Sequence, residues 1–304
     1  MKPLISVLML TYNQGDYIER SVKSVLEQKS ESYDLEILIT DDGSSDNTVN
    51  IIRHIQGYSS VPIRLNEKSH EGVSSIASNF LSLVDDSQGD YIAFLAGDDF
   101  YLPDRFLTHL KMFSANVDLK IVYSEGINYE NGESKGRCHP PNAVAVMESE
   151  DVSSVYHYLT TESPVLFIQG VLARGGFLRS IKPFDVDLIA DDWVFNLKVF
   201  SSMLNDGGGY FFDSSPRFIR NIHGSNTSRN LRVHYERVSQ VADRYCQKSW
   251  IIRSRYIGNA LVKAIRSRSL DDAIFFAKEM TFAPLSVYWV LKFVVKALLK
   301  GLKA

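Results

Sequence analysis

Among the adjacent carboxylates that stand where apolar runs begin or end in this chain are Asp41-Asp42, Asp98-Asp99 and Asp191-Asp192. Carboxylate oxygens are the natural ligands of a hard divalent cation, and a further carboxylate in the same cleft supplies a base for proton abstraction. The first two pairs follow apolar runs directly, Leu35 to Ile39 leading into Thr40-Asp41-Asp42-Gly43-Ser44-Ser45-Asp46 and Tyr91 to Ala96 into Gly97-Asp98-Asp99. A buried strand carries almost no charge in its body, so acids just past its C-terminal end lie where open α/β sheets bind ligands. Read singly, each pair also suits a solvated turn, and the acids before Trp193-Val194-Phe195-Asn196-Leu197 also suit the positive end of a helix dipole. Two strand-end pairs together point to one shared cleft.

The elements that must hold these acids alternate in type. An apolar run from Leu4 to Leu10 reads as a strand covered on both faces, and Ile18, Val22, Val25 and Leu26 recur at helical spacing, predicting a helix over 16–28. A second strand at 35–39 is followed by a helix containing Val49, Ile52 and Ile55, with Asp46 as its N-cap. The pattern repeats with a strand at 61–65, a helix near 73–85, a strand at 90–96, a helix opened by Pro103 and a strand at 120–124. Short turns between alternating strands and helices predict a mostly parallel sheet with right-handed crossovers. Residues 129–146, with Gly132, Gly136, Pro140 and Pro141, read as loops and short edge strands. Beyond Gly207-Gly208-Gly209 a strand is expected at 210–212, then a polar loop from Arg220 through Ser228. From about residue 232 the texture turns to long helices, so 1–231 is expected as one domain and 232–304 as a helical region.

Composition narrows the function class. With 304 residues, 45% hydrophobic, 23% charged and a net charge of −3, the chain suits a globular protein and gives no general reason to expect nucleic acid. Cys138 and Cys246 lack CxxC or zinc-ligand spacing, which makes a reducing cytoplasm the default expectation. The run from Leu4 to Leu10 is too short for a signal peptide and lacks a cleavage pattern. No G-x-G-x-x-G follows the first strand and no G-x-x-x-x-G-K-[ST] occurs, which removes the best evidence for a dinucleotide dehydrogenase or a P-loop ATPase.

From Ser6-Val7-Leu8-Met9-Leu10-Thr11-Tyr12-Asn13 to Asn226-Thr227-Ser228, the ordered motifs resemble family 2 glycosyltransferases of the GT-A fold, of the type that builds bacterial surface polysaccharide. The resemblance implies an α/β nucleotide-sugar-binding fold with a helical C-terminal region. It implies nucleotide contacts from Thr11, Tyr12, Asp42 and Asp98, with Tyr12 against the base, Asp42 on the nucleoside and Asp98 near the ribose. It places Asp99 on Mn²⁺ or Mg²⁺ at the diphosphate and makes Asp192 the catalytic base, with Asp191 beside it as a supporting acid. His223 matches the histidine of a loop closing over the diphosphate, where it either contacts metal or phosphate or bonds the loop backbone. Two departures stand out: Ala77-Ser78-Asn79 lacks the arginine common in that helix, and Asn221 replaces an arginine before the histidine, leaving neighbouring Arg220 as a substitute.

The activity so implied is inverting, metal-dependent transfer from a nucleoside diphosphate sugar, UDP-sugar foremost, to a hydroxyl of a glycan or lipid-linked acceptor. A non-catalytic sugar-nucleotide-binding protein would be expected to lose the metal acid or the base, and a sugar nucleotidyltransferase would need a glycine-rich basic loop where Tyr12-Asn13-Gln14-Gly15-Asp16 stands. At the other end, Pro284 opens an apolar helix in which Lys292, Lys296, Lys300 and Lys303 fall on one stripe. Interior lysines argue against spanning, so residues 284–304 are expected to lie peripherally on the cytoplasmic face of a membrane, or else to pack on protein, including a second copy in a homo-oligomer.

Overall fold

The computed structural model describes residues 2–162, 166–188, 192–224 and 230–301. They divide into two compact units, one of residues 1–157 with 164–223 and a second of 158–163 with 224–304.

The first unit begins with the expected alternation: β1 (Leu4–Thr11), α1 (Ile18–Leu26), β2 (Asp34–Asp41), α2 (Thr48–Tyr58), β3 (Ile63–Glu67), a 3-10 turn at Gly72–Ser75, α3 (Ile76–Asp86) and β4 (Tyr91–Ala96). The strands β3, β2, β1 and β4 lie side by side and parallel. Ile18, Val22 and Val25 of α1 are buried, which is what the helical period of those residues requires. Asp46 sits one residue before the cap position of α2, yet its Oδ1 accepts the Thr48 N–H at 2.9 Å and its Oδ2 accepts the Gly15 N–H at 2.9 Å. One carboxylate therefore satisfies a helix end and ties the turn after β1 to it.

The later elements are β5 (Phe100–Tyr101), α4 (Arg105–Ala115), β6 (Leu119–Glu130), β7 (Glu133–Arg137), α5 (Pro141–Met147), α6 (Val152–Glu162), β8 (Leu172–Arg174), α7 (Gly175–Ile181), α8 (Asp192–Asp206) and β9 (Gly209–Ile222). They extend the sheet in the order β3-β2-β1-β4-β8-β6-β9-β5, with β7 on β6; β8 is antiparallel to β4 and β6, whereas β6 and β9 run parallel. Two strands are much longer than expected, because β6 and β9 pair across register shifts at Leu119/Ile121, Ser124/Glu125 and Glu125/Gly126. Such irregularities break the two-residue alternation by which a strand is read from sequence. The loop reading of 129–146 is corrected at α5, where Pro141 occupies a first-turn position and Ala143 and Met147, one turn apart, are buried.

The second unit is helical: α9 (Leu231–Tyr245), α10 (Ser249–Arg266), α11 (Leu270–Phe282) and α12 (Ser286–Gly301). Its core gathers Ile257, Ala260, Leu261 and Phe276, with Tyr235, Tyr256 and Val290 packed against them.

Candidate active site

Strand register brings the candidate residues together. Thr11 lies opposite Asp41 and Leu10 opposite Ala96, so β1, β2 and β4 end level and their following turns open on one sheet edge. Gly97 lets the turn after β4 close on β1, since a Cβ there would fall 2.7 Å from Thr11 Oγ1 and closer still to Gln14 Oε1. Both of those oxygens are buried without a hydrogen-bond partner.

The two acids after β2 face different ways. Asp41 is buried, and its oxygens accept the Ser44 N–H at 2.8 Å and the Ser44 hydroxyl at 2.5 Å, closing the turn. Asp42 instead meets the segment before α3: its Oδ1 accepts from Ser75 Oγ at 2.9 Å and Asn79 Nδ2 at 3.4 Å, and its Oδ2 from His70 Nδ1 at 2.7 Å. The His70 ring lies flat on Tyr12, with centroids 3.9 Å apart and 9° between planes. Asn79 also accepts from Lys68 Nζ at 2.8 Å, so the helix lacking the family's arginine still reaches Asp42 through its asparagine.

The pair after β4 is divided in the same manner. Asp98 Oδ2 lies 2.8 Å from His223 Nε2, and the His223 ring stacks on Tyr17 at 4.7 Å. Asp99 is buried, its Oδ1 accepting the Asn221 N–H and its Oδ2 the Gln169 amide, both at 2.9 Å. Burial pushes the Asp99 carboxyl well above the usual carboxylate range and the Asp98 charge adds to it, against the opposing pull of the Asn221 N–H, Arg220 and the Gln169 amide. The Gln169 backbone carbonyl accepts from Arg105 Nη1 at 2.5 Å, while Arg105 Nη2 donates to Val171 O at 2.7 Å. Asp99 uses both oxygens to join three chain segments, each oxygen keeping a further acceptor position, and Asp98 is the acid that meets the histidine.

Asp192 is the first residue of α8. Four residues on, Asn196 Nδ2 donates to the Asp192 carbonyl at 2.6 Å and to Leu166 O at 2.9 Å, while its Oδ1 accepts from Tyr123 of β6 at 2.7 Å. That buried amide anchors the helix start to the sheet. Asp191 and residues 225–229, which include Asn226, Thr227 and Ser228, lie outside the described residues. Sequence reasoning missed His70, Ser75, Tyr17, Gln169 and Asn196 as parts of the site. Only Asn196, one helical turn after Asp192, carried a local signal.

Comparison with known proteins fits this arrangement. The family model described as glycosyl transferase family 2 matches residues 6–163, more than half of the chain. The chain belongs to glycosyl transferase family 2. Among curated relatives, a chondroitin synthase of Pasteurella multocida (strain Pm70) is 37% identical over 126 residues, 41% of this chain and 12% of that one. The poly(ribitol-phosphate) beta-N-acetylglucosaminyltransferase TarP of Staphylococcus aureus (strain N315) is 34% identical over 154 residues, 49% of this chain and 42% of that one. The chain thus spans less than half the length of either relative. Among solved structures, S. aureus TarS 1-349 in complex with UDP-GlcNAc superposes with a TM-score of 0.60 at 16% identity, covering 88% of this chain and 73% of that one. The mannosyltransferase PcManGT from Pyrobaculum calidifontis, in complex with GDP-Man and Mn2+, gives 0.58 at 17% identity, covering 99% and 88%. The fold of this family 2 glycosyltransferase is the GT-A fold of those neighbours.

Proposed function

We propose that this protein transfers a sugar, with inversion, from a UDP-sugar to a hydroxyl of a glycan or lipid-linked acceptor in surface-polysaccharide assembly. The observation that carries this reading is the division of labour among the acids at one sheet edge: Asp42 beside the Tyr12 ring face, and Asp98 against His223. The first pair suits a nucleoside, with a ring to stack on and a carboxylate for a base or sugar donor. The second suits a divalent cation at a diphosphate. Among the described residues no cluster of three or more metal-ligating side chains occurs, so this chain offers a carboxylate and an imidazole and leaves the remaining positions to phosphate oxygens and water. That is the usual way Mg²⁺, and by the same oxygen-rich chemistry Mn²⁺, is held beside substrate phosphates. When bound, the ion neutralises charge on the departing diphosphate.

The chain's own residues supply the rest. Asp192, held at the head of α8 by Asn196, takes the proton from the acceptor hydroxyl as it attacks the anomeric carbon, and Asp191 is assigned as its supporting acid. Single in-line displacement needs no covalent intermediate. The names of the relatives and neighbours, UDP-GlcNAc and GDP-Man with Mn2+ among them, support a nucleoside diphosphate sugar and a divalent ion. A thermal-shift panel of UDP, GDP and dTDP with Mn²⁺ tests the reading. UDP with Mn²⁺ is expected to raise Tm, chelation to remove the effect, and the absence of any nucleotide response would refute the assignment. We further assign residues 284–304 to peripheral contact with an anionic membrane on the cytoplasmic side, where a lipid-linked acceptor would be found.

A further inference from the structure

The surfaces assigned to the nucleobase are already in use. His70 covers the Tyr12 ring face at 3.9 Å, and its Nδ1 lies 2.7 Å from Asp42 Oδ2 and 3.0 Å from the Asp42 carbonyl. Both partner atoms only accept, so Nδ1 is the nitrogen that bears hydrogen here. A flat heteroaromatic ring stacked on Tyr12 and donating an in-plane N–H to Asp42 is also what a uracil ring would present. Gly43, at φ +79°, has no Cβ, and one there would fall 2.7 Å from the His70 backbone nitrogen, so glycine is what allows the segment after β3 to close over the turn after β2. Gly72, at φ +70°, has open space around it except for His70 Nε2 at 4.0 Å. The imidazole is half-exposed, with 44% of its side chain in solvent, so moving it outward opens no cavity in the core.

We infer that His70 is an internal stand-in for the nucleobase: it keeps Tyr12 and Asp42 aligned in the empty site and must leave before a base can enter. The inference rests on the base binding between Tyr12 and Asp42. A ligand that needs a pocket populated only part of the time binds with its intrinsic constant divided by that fraction. His70 therefore weakens every ligand that brings a base and has no effect on a ligand that brings only phosphates. This filter selects for rings that can replace both contacts at once.

The experiment is calorimetric titration of wild-type protein, His70→Ala and Tyr12→Ala with uridine, UDP with Mn²⁺, and pyrophosphate with Mn²⁺. His70→Ala is expected to tighten uridine and UDP by the same factor, roughly tenfold, and to leave pyrophosphate unchanged. His70→Phe, which keeps the stack and loses the N–H, should fall between wild type and alanine. In the wild type, uridine should also move the His70 ring-proton NMR signals, because the ring leaves the shielding face of Tyr12. Uridine affinity unchanged or weakened in His70→Ala overturns the inference. Failure of the underlying base site has a separate signature: Tyr12→Ala would then bind uridine as the wild type does.

Discussion

At the scale of single residues, adjacent acids do unlike work because each meets a different set of partners. Asp99 accepts from Asn221 and Gln169 inside the fold, whereas Asp98 meets His223. Asp98→Ala is therefore expected to abolish the Mn²⁺-dependent part of UDP affinity, and Asp99→Asn to retain most of it, because an asparagine oxygen can still accept one of the two hydrogen bonds. Calorimetry with and without Mn²⁺ separates the two; loss in Asp99→Asn with retention in Asp98→Ala would return the metal to Asp99. Asp42→Ala should weaken uridine and UDP by similar factors, and a loss seen only with UDP would contradict its role at the nucleoside. Asp192→Asn should bind UDP normally but turn over about 10²-fold or more slowly, as loss of a general base does. Normal turnover in that variant would remove Asp192 from the chemistry.

At the scale of elements, the site depends on strands ending level and turns closing tightly. The β-α units of the first half were legible because their apolar runs are unbroken and each is followed by a polar turn. The long pairing of β6 with β9 was not, since its bulges scramble the alternation and set polar Asp213 to Arg217 within a strand. Similarly, the acids could be found because they sit at strand ends. His70, Gln169 and Asn196 could not be found by pattern, because their partners Tyr12, Asp99 and Tyr123 lie far away in the chain. Gly97 tests the closure itself. A methyl there meets Thr11 Oγ1 at 2.7 Å and Thr11 Cβ at 2.9 Å, and the Cβ is fixed by the backbone of a central strand, so it cannot rotate aside. Gly97→Ala is expected to cost about 1–3 kcal/mol by denaturant titration and to weaken UDP through displacement of Asp98. Wild-type stability and affinity would mean the turn has slack that the contact distances deny.

At the scale of the whole molecule, the second unit leaves one face of its last helix without a partner among the described residues. α12 packs on α10 where Gly258 admits it, since a Cβ at Gly258 would lie 2.8 Å from Trp289 Cβ and 2.9 Å from the Ser286 carbonyl. Turned away from that contact at 100° per residue are Val287, Tyr288, Leu291, Val294 and Val295, all exposed, with Leu291 61% in solvent. Phe282, just before the helix, is 86% exposed. Lys292 borders this face, and Lys296 and Lys300 follow at the same four-residue interval in a stretch with no Asp or Glu after Glu279. An apolar strip edged by cations alone matches an anionic lipid surface, to which each lysine adds about 1 kcal/mol of attraction near the headgroups. A second copy docked α12 to α12 would bring lysines with no acid from that helix to meet them. No helix among the described residues is long and apolar enough to cross a membrane, so the contact proposed for this face is one of lying in the interface. The full chain is expected to float with phosphatidylglycerol vesicles at low salt, to release as salt rises, and to ignore phosphatidylcholine vesicles. Leu291→Glu combined with Val295→Glu should abolish flotation while leaving UDP affinity unchanged. If the wild-type chain stays at the bottom of the gradient with anionic vesicles, or if the double variant floats equally well, the face meets protein instead, and sedimentation of wild type against the double variant would then reveal the lost oligomer.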